Sequence, residues 1–239
     1  MRTSTVQRSL VRWRRRLFEL AGSDRYSWPG LDGLDRKIAR HLDFDGGFFV
    51  EAGANDGVRQ SNTYWLERFR GWRGVLVEPM PELARECRKN RPTATVVEGA
   101  LVARAEKTDT VEMTFAGLMS TAAGAFETDA QTSAHVAAGL RVEKLAVTYA
   151  VKVAARTLTQ VLEAAGVRGE IHLLSLDVEG MEEAVLRGLD FERFAPRMIC
   201  VEMRPGSGVT EILGSRYVEL EVLADYGERR DVLFRRRDA

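Results

Sequence analysis

The sequence predicts an α/β fold in which a mostly parallel, seven-stranded sheet carries helices on both faces and closes with an antiparallel hairpin. Five short apolar segments separated by helical patterns predict the parallel strands. Two further alternating segments joined by a polar turn predict the hairpin. The length of 239 residues is enough for one sizeable domain with its own core.

Local signals mark where the predicted elements begin and end. Ser61 is a suitable helix N-cap, Pro81 is favoured in a first helical turn, and Gly166 and Gly188 stop two later helices. The predicted strands are 48–52, 74–78, 94–98, 171–176 and 198–203, with hairpin strands at 217–223 and 231–235. The predicted helices are 34–42, 61–69, 81–90, 157–165, 181–187 and 210–213.

The segment at about 104–155 is predicted to be a lid-like insertion within a domain that spans residues 46–239. Residues 109–115 and 145–153 alternate like strands, and we expect them to pair with each other. Between them, residues 116–140 are rich in Ala, Gly, Thr and Ser and are too long for an ordinary loop. We therefore expect this stretch to cover a site or bind a substrate.

Residues 1–45 are predicted to form a basic helical arm and a lead-in to the domain. Leu10, Trp13, Leu17 and Leu20 have the spacing of one helical face, and arginines fill much of the rest. We expect this helix to pack on the domain with a solvated charged face. The alternative is contact with a membrane surface or an acidic partner.

Composition argues against several classes of protein. Lys plus Arg and Asp plus Glu each number 35, so no bulk charge attracts a nucleic acid. The sequence contains no secretory h-region and no apolar run near the length of a membrane span, so we expect no transmembrane segment. Cys87 and Cys200 are expected to be free thiols of a cytoplasmic protein. The three histidines are scattered and do not have the spacing of zinc ligands. A homo-oligomer is possible.

A glycine-containing turn after the first strand indicates nucleoside binding. The strand runs into Glu51, Gly53 and Gly57, and the second strand ends at Glu78. This is the layout of a nucleoside-binding α/β unit. A carboxylate in the turn would repel the pyrophosphate of a dinucleotide, but it suits the ammonium and sulfonium of S-adenosylmethionine (SAM). We therefore expect SAM as the cofactor.

Acidic residues at the strand ends can be assigned to parts of SAM, because parallel sheets bind ligands beyond the carboxyl ends of their strands. Glu51 or Asp56 can receive the ammonium. Glu78 can accept both ribose hydroxyls. Glu98, or the backbone at Ala100, can hydrogen-bond the adenine edge. For each acid the alternative is a buried structural carboxylate.

Asp177 and Glu202, at the ends of two later strands, are the pair left for chemistry. Methyl transfer to a hydroxyl requires removal of its proton or stabilisation of the alkoxide. The pair could hold Mg²⁺ through oxygen ligands, or either acid could act as base. Glu179 is a spare ligand or a partner of the helix dipole. His135 is a further candidate base, and the alternative is an exposed loop histidine.

Four motifs resemble the FkbM family of SAM-dependent methyltransferases. They are EAGANDG at 51–57, SNT at 61–63, GWRGVLVEP at 71–79 and DVEGMEEAVLRG at 177–188. The resemblance covers roughly residues 46–204. It implies a class I methyltransferase (Rossmann-like) fold and O-methylation of a sugar or natural product. Within the motifs, Asn55, Ser61, Pro79 and Asp177 are expected to border the cofactor.

The chain departs from the family pattern at Glu51, where Asp is commoner, and residues 116–140 contain no motif that aligns. Mg²⁺ is implied only by a looser likeness to sugar and catechol O-methyltransferases of this fold. The expected acceptor is a small-molecule hydroxyl, in the first place that of a saccharide. The alternatives are another metabolite, a noncatalytic SAM- or nucleotide-binding regulator, and a nicotinamide oxidoreductase.

Overall fold

The computed structural model describes residues 5–106, 109–125, 128–143 and 146–238. Its α-helices are α1 (Thr5–Leu20), α2 (Leu34–Ala39), α3 (Tyr64–Arg70), α4 (Pro81–Asn90), α5 (Asp129–Glu143), α6 (Leu158–Ala164), α7 (Glu182–Arg187), α8 (Phe191–Phe194) and α9 (Val209–Leu213). Its strands are β1 (Phe48–Ala52), β2 (Arg73–Glu78), β3 (Thr95–Glu98), β4 (Ala100–Leu101), β5 (Thr110–Thr114), β6 (Thr121–Ala122), β7 (Ala150–Arg156), β8 (Leu173–Leu176), β9 (Met198–Met203), β10 (Tyr217–Asp225) and β11 (Arg230–Arg236).

Seven strands form the main sheet in the order β10-β11-β9-β8-β1-β2-β3. The pairs from β9 to β3 are parallel, whereas β11 is antiparallel to both β9 and β10. One antiparallel strand within a parallel sheet, closed by a hairpin, is the predicted arrangement, so the fold class is confirmed. The carboxyl ends of β1, β2 and β8 consequently lie side by side at one edge.

Two hydrophobic cores lie on opposite faces of this sheet. Val50 and Leu174 pack with α6, α7 and α9 on one face, and Phe49 and Leu173 pack with α2, α3 and α4 on the other. Consecutive side chains of a strand point to opposite faces. Because helices cover both faces, the central strands β1, β2, β8 and β9 are mostly apolar in the sequence.

The insertion builds a second sheet of four strands in the order β4-β7-β5-β6. β5 and β7 are antiparallel, as expected for the pairing of the two alternating segments, although β7 begins after the predicted residue 145. Helix α5 was not predicted, because its Ala, Thr, Ser and Gly residues form no apolar stripe. Met113 and Val153 of the second sheet pack with Met80, which follows β2.

Helix α1 packs on the domain through part of its charged face, and only the rest of that face, including Arg14 and Arg16, is solvated as expected. Arg15 and Glu19 are buried against the domain. The residues of the apolar face are 57–79% exposed: Leu10, Trp13, Leu17 and Leu20. Among the described residues, no helix has the length and apolar character that crossing a membrane requires.

Candidate active site

A cavity opens at the carboxyl ends of β1, β2 and β8, where the main sheet faces the insertion. Its sheet side is lined by Glu51, Gly53, Asn55, Asn62, Glu78, Pro79, Ala100, Ser175, Asp177 and Glu179. Its insertion side is lined by Met113, Gly117, Leu118, Ser120 and Ala122. Most of the residues predicted for cofactor binding therefore surround one space.

The turn after β1 is held firmly against its neighbours. The amides of Gly53 and Ala54 both donate to the carbonyl oxygen of Val77 at 3.0 Å. Gly53 has a φ of +84°, and a Cβ atom on it would lie 1.8 Å from the carbonyl oxygen of Asp177. A side chain at this position would collide with the residue that follows β8, so the fold itself requires glycine here.

Glu51 lies beneath the cavity with both carboxylate oxygens already hydrogen-bonded. Oε1 accepts the amide of Asn62 at 2.8 Å, and Oε2 accepts the hydroxyls of Ser61 at 2.8 Å and Thr63 at 2.6 Å. Arg91 lies 3.7 Å from Oε2. These contacts show that Glu51 fixes residues 61–63. Its Oε1 accepts a single hydrogen bond and keeps a lone pair, so contact with the ammonium stays a prediction. Ser61 accordingly points at Glu51 and does not line the cavity.

Asp56 also serves its own loop rather than the cavity. Its Oδ1 accepts the amides of Val58 at 3.0 Å and Arg59 at 2.8 Å. Its Oδ2 lies 3.5 Å from Nη2 of Arg12 on α1. Aspartates commonly close turns in this way. Asp56 is not among the residues that line the cavity, and this placement corrects its assignment to the ammonium.

Asn62 provides an acceptor that the sequence analysis missed. Its Nδ2 donates to Oγ of Ser175 at 3.0 Å, and no donor among the described residues reaches its buried Oδ1. Asn62 is 8% exposed and lines the cavity. A buried amide oxygen without a partner is costly unless a ligand supplies the donor. No local pattern reveals this site, because Ser175 is 113 residues away.

Glu78 is held at the end of β2 by two backbone amides. Oε2 accepts the amide of Asn55 and Oε1 that of Met80, both at 2.8 Å. Each oxygen keeps a further lone pair for a ligand hydroxyl. Burial raises the pKa of Glu78 to about 7 despite these amides, and nearby Asp56 adds to the rise. Pro79 extends the same wall of the cavity.

Glu98 lies at the surface and not at the cavity. Its side chain is 40% exposed and pairs with Arg88 at 3.3 Å. The cavity is lined instead by Gly99 and Ala100, the next residues in the chain. The assignment of the Glu98 side chain to the adenine edge is therefore corrected. The backbone at Gly99 and Ala100 is the alternative that lines the cavity.

Asp177 and Glu179 follow β8 and form the acidic end of the cavity. Asp177 faces the open space, whereas the Glu179 side chain is 12% exposed. Glu179 has a φ of +53°, which is uncommon for a residue with a side chain. Removal from bulk water, followed by the nearby Glu202 carboxylate, raises the pKa of Glu179 to about 8. The same two causes raise the pKa of Asp177, although its side chain reaches the open cavity.

His135 lies on α5 and not in an exposed loop. Its Nε2 is 3.3 Å from Oε2 of Glu179, and its side chain is 9% exposed. Burial, followed by the charge of Arg204, lowers the pKa of His135, which favours the neutral imidazole. The structure thus brings His135 to the acidic cluster, behind Glu179 rather than on the cavity wall.

Glu202 stands behind Asp177 with arginines beside it. Its Oε2 accepts a 2.6 Å hydrogen bond from Nη1 of Arg229, and its Oε1 lies 3.7 Å from Nη2 of Arg204. Carboxylate oxygens of Asp177, Glu182 and Glu202 approach within 4.8 Å of one another. The predicted pair is therefore brought together, with Glu182 as a third acid that the sequence analysis did not assign.

This oxygen cluster does not fit Mg²⁺ well. Oε1 of Glu182 already accepts the amides of Val178 at 3.0 Å and Gly180 at 3.2 Å. Glu202 is engaged by Arg229, so a divalent cation would sit beside a guanidinium that repels it. Arg204 and Arg229 place positive charge beside Glu202, at the position where the sequence predicts a metal.

The sequence matches the family described as "Methyltransferase FkbM domain" over residues 51–235. The chain belongs to the FkbM methyltransferase family. Its FkbM domain includes the turn after β1, the insertion, the acidic cluster and Arg229 of the closing hairpin. The protein is accordingly a SAM-dependent methyltransferase, and the predicted family is confirmed.

Several solved structures are similar to this FkbM protein. A TehB-like SAM-dependent methyltransferase from Corynebacterium glutamicum is 13% identical, covering 96% of this chain and 97% of that one, with a TM-score of 0.43. A putative methylase from Haemophilus influenzae is 12% identical, covering 87% and 91%, with a TM-score of 0.47. M. capricolum TrmK, solved with S-adenosylhomocysteine, is 6% identical, covering 85% and 67%, with a TM-score of 0.44. Comparison with curated proteins gives no match.

Proposed function

We propose that this methyltransferase transfers the methyl group of SAM to a hydroxyl of a small molecule, in the first place a sugar or glycoside. One observation carries the proposal: Asp177 and Glu179 lie in the cavity between the turn after β1 and the insertion. An acceptor that enters beside the insertion would present a hydroxyl to these carboxylates. Transfer to oxygen requires a proton acceptor at that position.

Residues on the sheet side of the cavity fit the chemistry of SAM. Glu78 would accept the ribose hydroxyls, and the unpartnered Oδ1 of Asn62 would accept from the ammonium. The backbone at Gly99 and Ala100 would meet the adenine edge. When bound, SAM supplies an electrophilic methyl on a sulfonium that becomes a neutral thioether on transfer.

Asp177 is the group that we place at the reacting oxygen. Its carboxylate would accept a hydrogen bond from the acceptor hydroxyl and take that proton as the new oxygen–carbon bond forms. Glu179 and His135, 3.3 Å apart, lie behind it and would relay the proton outward. Arg229 balances Glu202, which limits the repulsion that a second unpaired carboxylate would exert on Asp177.

Both walls of the cavity support a polyhydroxylated acceptor. Met113, Leu118 and Ala122 present an apolar surface, which suits the carbon–hydrogen face of a ring. Arg59 and Gln60 add polar groups that can meet further hydroxyls. A hydroxylated natural product with a flat apolar ring would meet the same features, and it is the second candidate acceptor.

A methyl-transfer assay with isotope-labelled SAM and a panel of sugars, glycosides and hydroxylated natural products tests the proposal. We expect a methylated sugar or glycoside from the wild type and from Glu98→Gln, a matched control outside the cavity. Asp177→Asn should form the same product at least about 100-fold more slowly. A product methylated on nitrogen, or tight SAM binding without transfer to any panel member, would contradict the proposal.

A further inference from the structure

Helix α1 presents an apolar strip to solvent. Its side chains recur at intervals of three and four residues and so share one face. The strip consists of Leu10 (63% exposed), Trp13 (66%), Leu17 (57%) and Leu20 (79%). Contiguous exposed apolar patches that include an aromatic residue mark interaction surfaces rather than ordinary solvated protein.

The orientation of this strip is fixed by contacts on the opposite side of the helix. Glu19 accepts hydrogen bonds from the hydroxyls of Ser27 at 2.7 Å and Tyr64 at 2.8 Å, and from Nε of Arg68 at 3.1 Å. The Arg15 guanidinium lies 4.8 Å from the centre of the Tyr64 ring. Turning the strip inward would bury it only by breaking this network, so the outward orientation is built into the fold.

Positive charge flanks the strip on both sides. At about 100° per residue, Arg14 lies on one side of the Leu10–Leu17 line and Arg16 on the other, and both are exposed. The acid in this part of the helix, Glu19, is buried on the far face. The exposed surface between residues 10 and 20 therefore combines apolar and cationic groups without a carboxylate.

We propose that α1 docks this protein onto an anionic lipid surface. A helix that carries Trp and Leu on one face and arginines at its borders lies in the plane of a membrane interface, with its apolar side chains among the acyl chains and its cations at the headgroups. A second copy is a poorer occupant, because two such strips in contact would bring the flanking arginines together. Each arginine near an anionic surface adds to binding.

Co-sedimentation of the full chain with lipid vesicles tests the proposal. We expect binding to phosphatidylcholine vesicles that contain phosphatidylglycerol, weaker binding to phosphatidylcholine alone, and release from the mixed vesicles as salt is raised. Trp13→Ser together with Leu17→Ser should weaken binding about tenfold or more, because both side chains stay in water in the free protein and folding does not depend on them. Arg14→Gln together with Arg16→Gln should remove the preference for the mixed vesicles.

Val147→Ser is the matched control, since Val147 is 74% exposed but belongs to the insertion and not to α1. This variant should bind vesicles like the wild type. If the amount of wild-type protein in the pellet is the same with either kind of vesicle as without vesicles, the proposal is overturned. A dimer in light scattering that dissociates in the Trp13→Ser, Leu17→Ser variant, with no vesicle binding, would overturn it in favour of a second copy as the occupant.

Discussion

The hydroxyl of Tyr64 donates a 2.8 Å hydrogen bond to the carboxylate of Glu19, and this contact joins the N-terminal helix to α3. Burial raises the pKa of Tyr64 to about 12, which keeps the phenol protonated as a donor. Ser27 and Arg68 donate to the same carboxylate. Helix α1 is therefore an integral part of the domain surface.

Glu19→Ala should lower the free energy of unfolding by about 2–3 kcal/mol. The substitution leaves the buried guanidinium of Arg15 without its acid and the hydroxyls of Ser27 and Tyr64 without their acceptor. Urea denaturation measures the change. Glu228→Ala, at an exposed turn, is the control and should change the value by less than about 0.5 kcal/mol. Equal effects of the two substitutions would show that the Glu19 network contributes nothing.

Gly53→Ala should destabilise the protein far more than a change of backbone preference alone can explain. Its Cβ would lie 1.8 Å from the carbonyl oxygen of Asp177, so we expect a loss of about 3 kcal/mol or more. Gly166 is the matched control, because it also has positive φ (+69°), but a Cβ added there would meet nothing within 4 Å. Gly166→Ala should cost only about 1 kcal/mol. Thermal or urea unfolding measures the loss of stability in each variant. Similar losses in Gly53→Ala and Gly166→Ala would show that the collision with Asp177 is not the reason for glycine at position 53.

Glu78→Ala should weaken SAM binding by about one to two decades, because two charge-assisted contacts to the ribose hydroxyls are lost. Isothermal titration calorimetry on the folded variant measures this. Glu98→Ala is the control and should bind SAM like the wild type, since Glu98 lies outside the cavity. Unchanged affinity in Glu78→Ala would exclude the ribose contact.

The affinity of the wild type for SAM should also rise with pH through about 7. The pKa of Glu78 in the free protein is raised to about 7, mainly by burial and further by Asp56, and ribose hydroxyls donate best to the ionised carboxylate. Binding should therefore release a proton, and Glu78→Gln should flatten this dependence. Without SAM, the stability of the fold depends on pH in the opposite direction. Because the pKa of Glu78 is raised in the folded protein, Glu78 stabilises the fold below about pH 4.5, and this contribution is lost as pH rises through 7. A pH-independent affinity would contradict the assignment.

Asp177→Asn should lower turnover by about two to four decades while SAM affinity changes less than about threefold. The variant keeps the shape of the side chain but cannot take the acceptor proton. Removal of divalent cations with a chelator should leave wild-type turnover unchanged, because Arg229 and Arg204 occupy the charge-balancing position beside Glu202. Activity lost on chelation and restored by Mg²⁺ would establish a metal site. Near-wild-type turnover in Asp177→Asn would remove that residue from the reaction.

The strands and the acids at their ends were predictable, because parallel strands buried on both faces leave apolar segments in the sequence. The direction in which each carboxylate points was not predictable. Glu51 and Asp56 belong to the predicted turn, but Glu51 accepts hydrogen bonds from residues 61–63 and Asp56 from its own loop. Such contacts depend on where loops return in three dimensions, which spacing along the chain does not encode.

The missed residues share one property, since each acquires its role from a distant partner. Asn62 is oriented by Ser175, and Arg229 reaches back to Glu202 across the hairpin. The apolar spacing of α1 was recognised, yet its direction was mispredicted because a buried acid on the opposite face, Glu19, decides it. Periodicity identifies a face but not the surface against which it lies.

The ion pair between Arg229 and Glu202 also has a consequence for the order in which the protein is made. The guanidinium follows the carboxylate by 27 residues, so a ribosome exposes Asp177, Glu179 and Glu202 well before it supplies the arginine of the closing hairpin. A nascent chain at that stage has Arg204 beside the acids, 3.6 Å from Glu179 and 3.7 Å from Glu202, but lacks the 2.6 Å hydrogen bond that Arg229 donates to Glu202. Docking of the hairpin therefore completes the sheet and adds the shorter of the two ion pairs that Glu202 makes, which couples the packing of the last two strands to the charge balance at the acidic end of the cavity.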